Sequence, residues 1–260
     1  MADIEAAARF LLTLRQEYRT VRELPAAYRP ADLDEGYAVQ DRLCELIGGE
    51  TAGWKVGATA PEVQEAFGVS EPVAGRLFRV RVHEYPATIP FDEFEAPPSF
   101  ECEICFVLGR DLAAQDAPFD RPTIVAAVDK VVPAVEVISS RFEQMLAVDA
   151  PSLVADNVAA GYLVTGEPVV ASDAVDPREI AAALRVNGEL MAKGSGEAIL
   201  GDPYAALQWL ANHLAARGRG LRKGELISTG TLTGLCPAQP EDVAMADFGR
   251  LGRVSVHLTG

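Results

Sequence analysis

The run SFECEICFVL, residues 99–108, alternates by parity: Glu101, Glu103 and Cys105 fall on one face of an extended strand, and Cys102, Ile104, Phe106 and Leu108 on the other. A fold containing this strand must bury its apolar face in a sheet and account for two carboxylates on the opposite side. They either face water, the ordinary outcome for an isolated Glu-x-Glu, or share a common partner. In KVVPAVEVI, residues 130–138, Glu136 stands alone among apolar residues. A buried carboxylate there is costly unless it meets a cation or takes up a proton. If Glu101, Glu103 and Glu136 converge, they form an oxygen-rich site suited to Mg²⁺, Mn²⁺ or Ca²⁺ rather than to a thiophilic metal.

The chain on either side of this strand changes character near residue 50. Ile4, Ala7, Ala8, Leu11 and Leu12 lie at helical spacing, and Arg15 and Arg19 suit the negative end of that helix. A second helix is expected from a cap at Asp34, through Val39, Leu43, Leu46 and Ile47, to a stop at Gly48-Gly49. From Thr51 the chain turns to short β-rich runs with many turn signals, which disfavours alternating βαβ units. Pro133 predicts that its strand is an edge, begins there or carries a bulge. RPTIVAAVDK predicts a short helix. Asn187-Gly188 predicts a hairpin, Asp202-Pro203 the start of a helix bearing Leu207, Leu210 and Leu214, and RVSVHLTG a closing strand. The expectation is an α+β chain with a helical N-terminal region, residues 1–50, packed on a mixed β-rich catalytic domain, residues 51–260.

Charge narrows the partners. A formal net charge of −15 repels phosphate backbones and anionic membranes, so neither nucleic acid nor membrane is expected. The start of the chain lacks the basic pattern of a signal peptide, no apolar run has the length of a membrane span, and a cytoplasmic location follows as an expectation. Cys44, Cys102, Cys105 and Cys236 are too few and scattered for a disulfide framework and are expected reduced. Cys102-x-x-Cys105 has metal-knuckle spacing, but an extended strand sends its two thiols to opposite faces. His83, His213 and His257 lie far apart and none sits in a nucleophile motif, so a serine or cysteine triad is not expected.

Two further segments could carry chemistry. Lys55, in GWKVG, is flanked by glycines and sandwiched between Trp54 and Val56. That setting could desolvate it and lower its pKa for acid–base work, or leave it a snorkelling strand lysine. In STGTLTG, residues 228–234, glycines let the backbone approach a ligand, and hydroxyls and amides can meet carboxylate oxygens; a polar β-turn reads equally well.

Taken with GWKVGATAPEVQEAFGVSEPVAGRLF, FECEICFVLGRDL, VVPAVEVISSRF, VADNVAAG and GDPYAALQWLANHLAARGRGLRKGELISTGTLTG, these segments resemble the 2-keto-4-pentenoate hydratases and 4-oxalocrotonate decarboxylases of the fumarylacetoacetate hydrolase superfamily. The resemblance runs in family order over most of the chain, from about Thr51 to Gly234. It implies a mixed β-roll body like the C-terminal domain of those hydrolases, and a homo-oligomer, with a complex with a related pathway enzyme as a further option. Implied too are Mg²⁺ on Glu101, Glu103 and Glu136, with Mn²⁺ or Ca²⁺ as substitutes, and Lys55 as the proton-moving group. The implied reaction, in aromatic catabolism, hydrates 2-hydroxypenta-2,4-dienoate or a related 2-keto acid through its ketonised form. Thr229, Gly230 and Thr231 would hold the carboxylate end, and Asp156 would orient water or Lys55. The chain departs from the family at Val73-Ala74, where many members carry an Asp and an aromatic. An acylpyruvate-type C–C hydrolase, a 2-keto acid decarboxylase and a non-catalytic partner of an active relative are the alternatives.

Overall fold

The computed structural model describes residues 2–171 and 176–260. Two helices come first, α1 (Ile4–Gln16) and α2 (Leu33–Ile47), followed by β1 (Thr51–Gly57), a short α3 (Pro61–Phe67), β2 (Val73–Phe78), β3 (Val82–Glu84), β4 (Ala87–Pro90) and β5 (Ser99–Leu108). Then come α4 (Arg121–Val125), β6 (Val128–Ile138), α5 (Ala150–Ala155), β7 (Tyr162–Thr165), β8 (Val169–Val170), β9 (Ala181–Val186) and β10 (Glu189–Ser195). The chain ends with α6 (Pro203–Ala216), β11 (Leu226–Thr231), β12 (Cys236–Pro237), β13 (Val243–Asp247) and β14 (Arg253–Thr259).

The strands form two sheets. The larger runs β2-β1-β11-β5-β6-β7-β3, with β12 also on β5 and β8 on β6, and curls into a half-barrel; the smaller runs β10-β9-β13-β14-β4. Pairing is mixed: β1–β11, β14–β4 and β3–β7 are parallel and the others antiparallel. Mixed pairing without repeated crossovers is what the absence of βαβ texture led one to expect.

Local chemistry explains most boundaries. Asp3 caps α1 by accepting from the Ala6 amide, and Asp202 caps α6 from the Tyr204 amide. Asn187 and Gly188, at φ 53° and 85°, make the tight hairpin between β9 and β10. Three expectations need correction. The cap of α2 is Asp32, which accepts from Glu35 N–H at 2.9 Å, so Asp34 sits inside the first turn. Pro133 lies within an interior strand, with β5 on one side and both β7 and β8 on the other. It is tolerated because β8 pairs at Lys130–Val131 and β7 begins at Ala134, leaving no neighbour that requires a Pro133 N–H. Its carbonyl still accepts from Gly166 N–H at 2.7 Å. RPTIVAAVDK is helical only over its first half, because Val128 to Lys130 join β6.

Apolar side chains gather in three places. The main core includes Phe100, Cys102, Ile104 and Phe106 of β5 with Leu207, Leu210 and Leu214 of α6. A second cluster joins Ala7, Leu11 and Leu14 of α1 and Val39 and Leu43 of α2 to Phe142 and Ala155. The helical region is thereby packed onto the β body rather than tethered to it. A third cluster, including Leu77, Cys105, Ala134, Leu163 and Leu226, lines the face that carries the glutamates.

Candidate active site

Strand register brings the three glutamates together. Glu101 pairs with Glu136 across β5 and β6, and Glu103 follows Glu101 on the same face two residues on. One carboxylate oxygen from each of Glu101, Glu103 and Glu136 lies within 4.8 Å of the others. The face is not solvated: Glu103 and Glu136 are each 1 % exposed and Glu101 is 9 % exposed. Lys55 completes the cluster from β1, donating from Nζ to Glu136 Oε1 at 2.6 Å. It reaches there through the order β1-β11-β5-β6, its residue pairing with Ser228 on β11.

The electrostatics are unusual for an interior. Burial, reinforced by Glu136, pushes Glu101 up to about 7, with Lys55 and a Thr231 hydrogen bond pulling the other way. Burial and the other two carboxylates push Glu103 well above the usual range. Lys55 departs from the expected lowering. Burial does depress its ammonium, but Glu136, Glu101 and Glu103 together outweigh burial and hold it above the ordinary value. Fully ionised, three carboxylates and one ammonium leave the buried cluster at −2. One Glu136 oxygen, Oε2, is buried without a hydrogen-bond partner. An all-oxygen donor set, two excess negative charges and an unpartnered oxygen fit a hard divalent cation.

The STGTLTG segment supports the carboxylates. A bulge between Ser228 and Thr231 interrupts β11 against β5, and Gly230 takes φ 114° there with the Thr59 side chain pressed where a Cβ would stand. Ser228 Oγ donates to Glu103 Oε2, and Gly230 N–H donates to the same oxygen at 3.3 Å. Thr229, fully buried, gives its hydroxyl proton to the Ile104 carbonyl at 2.7 Å, so that group is already committed. Thr231, half-buried, bonds Glu101 and its own turn.

Asp156 is placed elsewhere. Its carboxylate takes Arg141 Nε at 2.7 Å, Arg15 Nη2 at 3.1 Å and the Arg141 amide at 3.1 Å, and Lys55 is not among its partners. Arg141 also reaches Glu95 at 3.3 Å. This buried ion cluster ties α1 to the body. The residues after it, Asn157, Val158 and Ala159, take φ of 58°, 53° and 52°. Three successive left-handed non-glycine residues are costly and persist only when packing fixes them. Here they wall the site: a Cβ on Gly75 would meet the Asn157 carbonyl at 2.7 Å and Lys55 Cγ at 3.2 Å, and a Cβ on Gly57 would meet Val158 Cγ1 at 2.9 Å. Val73, 2 % exposed, faces the same glycine, so an apolar wall stands in the segment that departs from the family. Neither Ser228's duty nor the Arg15–Asp156–Arg141 cluster was read from the sequence. Parity within STGTLTG pairs Ser228 with Gly230 and could have pointed to the first.

Comparison with known proteins gives the family and the fold. Residues 73–259 match the sequence pattern described as fumarylacetoacetate (FAA) hydrolase C-terminal. The 2-keto-4-pentenoate hydratase of Paraburkholderia xenovorans is 33 % identical over 253 residues, spanning 96 % of this chain and 93 % of that protein. The chain belongs to the fumarylacetoacetate hydrolase superfamily. Within the superfamily it belongs with the 2-keto-4-pentenoate hydratases and 4-oxalocrotonate decarboxylases. The 4-oxalocrotonate decarboxylase of Pseudomonas putida G7, solved with magnesium and adipate, superposes at a TM-score of 0.92 with 28 % identity, covering 98 % of this chain and 97 % of that one. The same enzyme solved with calcium and acetate gives a TM-score of 0.90 at 28 % identity, over 98 % and 96 % of the two chains.

Proposed function

We propose that this member of the superfamily is a divalent-metal-dependent hydro-lyase that adds water to 2-hydroxypenta-2,4-dienoate or a closely related 2-keto acid in the breakdown of aromatic compounds. The observation that carries the reading is the buried Glu101–Glu103–Glu136 cluster with Lys55 on it, in a chain 33 % identical to a 2-keto-4-pentenoate hydratase. Glu101, Glu103 and Glu136 would hold Mg²⁺, with Mn²⁺ or Ca²⁺ able to replace it; the decarboxylase solved with magnesium and with calcium supports that choice. A cation bound there supplies Lewis acidity toward the 2-oxo and carboxylate oxygens of the substrate.

The rest of the work falls to the chain's own side chains. Lys55 holds a proton at Nζ beside Glu136 and is the group that exchanges protons with the dienol as it ketonises. Ser228 and the Gly230 amide keep Glu103 in place. Of Thr229, Gly230 and Thr231, the segment assigned to the substrate's carboxylate end, Thr231 is the part-exposed member that would meet it, because the Thr229 hydroxyl is taken by the Ile104 carbonyl and the Gly230 amide by Glu103. Asp156 acts through Arg15 and Arg141, holding the left-handed turn that walls Lys55. Val73 and Val158 pack against Gly57, two residues along β1 from that lysine.

The test is direct. Purified protein with Mg²⁺ should consume the dienol absorbance of 2-hydroxypenta-2,4-dienoate and form 4-hydroxy-2-oxopentanoate; unchanged absorbance sinks the reading. The close superposition on 4-oxalocrotonate decarboxylase favours decarboxylation as a second reading. Release of CO₂ from a 2-oxo-dicarboxylic acid, without hydration of the dienol, would select it. The reading also includes a cytoplasmic homo-oligomer, checked by light scattering on the purified protein, and a division of the chain at residue 50. Among the described residues no helix is long and apolar enough to cross a membrane.

A further inference from the structure

Cys105 shares its strand face with Glu101 and Glu103, and the register of β11 against β5 sets Ser228 directly opposite it. Cys105 Sγ lies 3.2 Å from Ser228 Oγ, and Ser228 Oγ–H is bonded to Glu103 Oε2, where the Gly230 amide also arrives. Cys105 and Ser228 are fully buried, and Glu103 is 1 % exposed. A buried serine ordinarily satisfies its hydroxyl on a backbone carbonyl, as neighbouring Thr229 does on Ile104. A buried cysteine ordinarily behaves as a small apolar residue. Neither description fits this pair.

Proton count fixes the direction of the chain of bonds. A carboxylate that holds a cation is ionised and can only accept. Ser228 has one hydroxyl proton, so that proton goes to Glu103. The Ser228 oxygen is then free to accept, and the only proton Cys105 has to offer it is its S–H. We propose that Cys105 and Ser228 form a donor relay, thiol to hydroxyl to carboxylate, which with the Gly230 amide occupies Oε2 of Glu103 and leaves its other oxygen for the metal. Both are positioning residues, and together they set metal affinity. The inference rests on the reading of Glu101, Glu103 and Glu136 as the metal site.

Metal binding itself is the readout. Mn²⁺ titration calorimetry is run on metal-stripped, full-length wild type, Glu103→Gln, Ser228→Ala, Ser228→Thr, Cys105→Ala, Cys105→Ser and the double alanine variant, each with a melting curve to establish folding. Ser228→Ala should weaken Mn²⁺ binding about 10- to 100-fold, the range for partners that orient metal ligands. Ser228→Thr, which keeps the hydroxyl, should restore most of the loss. Cys105→Ala should weaken binding less than Ser228→Ala, Cys105→Ser should restore it, and Cys105→Ala should cost nothing further once Ser228 is alanine. If wild type binds Mn²⁺, Glu103→Gln abolishes it, and both alanine variants bind like wild type, the relay is overturned while the site stands. Wild type that binds no Mn²⁺ overturns the site and the relay with it. Should Ser228→Ala fail to fold, Cys105→Ala against Cys105→Ser decides: equal affinity overturns the proposal, and a loss restored only by serine supports it.

Discussion

At the scale of single residues, the site is defined by charges that the interior must compensate. Lys55 and Glu136 are 4 % and 1 % exposed and 2.6 Å apart, and removing one partner of such a pair typically costs about 3–5 kcal/mol because the other stays buried and charged. Lys55→Met should therefore lower the stability of the metal-stripped protein by about that much in urea denaturation. Added Mn²⁺ should narrow the gap, since the cation compensates the same carboxylates; an equal gap with and without metal would count against the shared cluster. Asp156 poses the complementary question. Buried Arg141 and part-buried Arg15 converge on it, and desolvation, with Arg141 close by, pulls Arg15 down to about 10 even with that carboxylate beside it. Asp156→Asn should destabilise by about 3–5 kcal/mol and leave Mn²⁺ affinity unchanged. A variant of native stability that had lost turnover would instead place Asp156 in the chemistry.

At the scale of elements, the site depends on how β2, α5 and the turn after it meet. Gly75 of β2 lies against the Asn157 carbonyl, a backbone atom that cannot swing aside. Gly75→Ala should cost about 1–3 kcal/mol, as overpacking does, and should reduce kcat by shifting the wall beside Lys55. Both are measured against Gly68→Ala, where a Cβ meets no neighbouring atom and the cost is that of a left-handed backbone (φ 65°), a conformation Gly75 does not have. Helix α6 carries a pH-sensitive contact. Burial pushes His213 down to about 4, Arg217 adds to the effect, and Glu71 and Asp34 oppose it, while the rings of Tyr37 and Trp209 pack on it. The unfolded chain protonates this histidine near 6.5, the folded chain only near 4. The unfolded state therefore binds more protons between those values, and this contribution to stability is complete above pH 6.5 and lost as pH falls toward 4. Urea denaturation at pH 7 and pH 5 should show a drop in wild type that shrinks in His213→Gln. Equal drops would mean that other groups govern the acid limb.

At the scale of the molecule, three buried carboxylates against one ammonium make the fold a partner in metal binding. A ligand at 100 times its dissociation constant stabilises by about 2.7 kcal/mol. At roughly 2–4 °C per kcal/mol for a chain of this size, saturating Mg²⁺ or Mn²⁺ should raise Tm by about 5–10 °C over chelator-treated protein. No shift would remove the cluster's assignment. Local rules visible in the sequence settled much of this architecture. Parity put Glu101 and Glu103 on one face, caps and periodicity placed α1 and α6, and Asn187-Gly188 closed its hairpin, because each follows from neighbours a few residues apart. The resemblance supplied the assembly that local rules could not. The sequence by itself could not show that Glu136 meets Glu101, that Lys55 rises rather than falls in pKa, or that Asp156 binds two arginines instead of the lysine. Those outcomes depend on strand order and on burial among residues far apart in the chain. The strength and sign of an electrostatic interaction are decided by distance and dielectric, and only the tertiary structure fixes either.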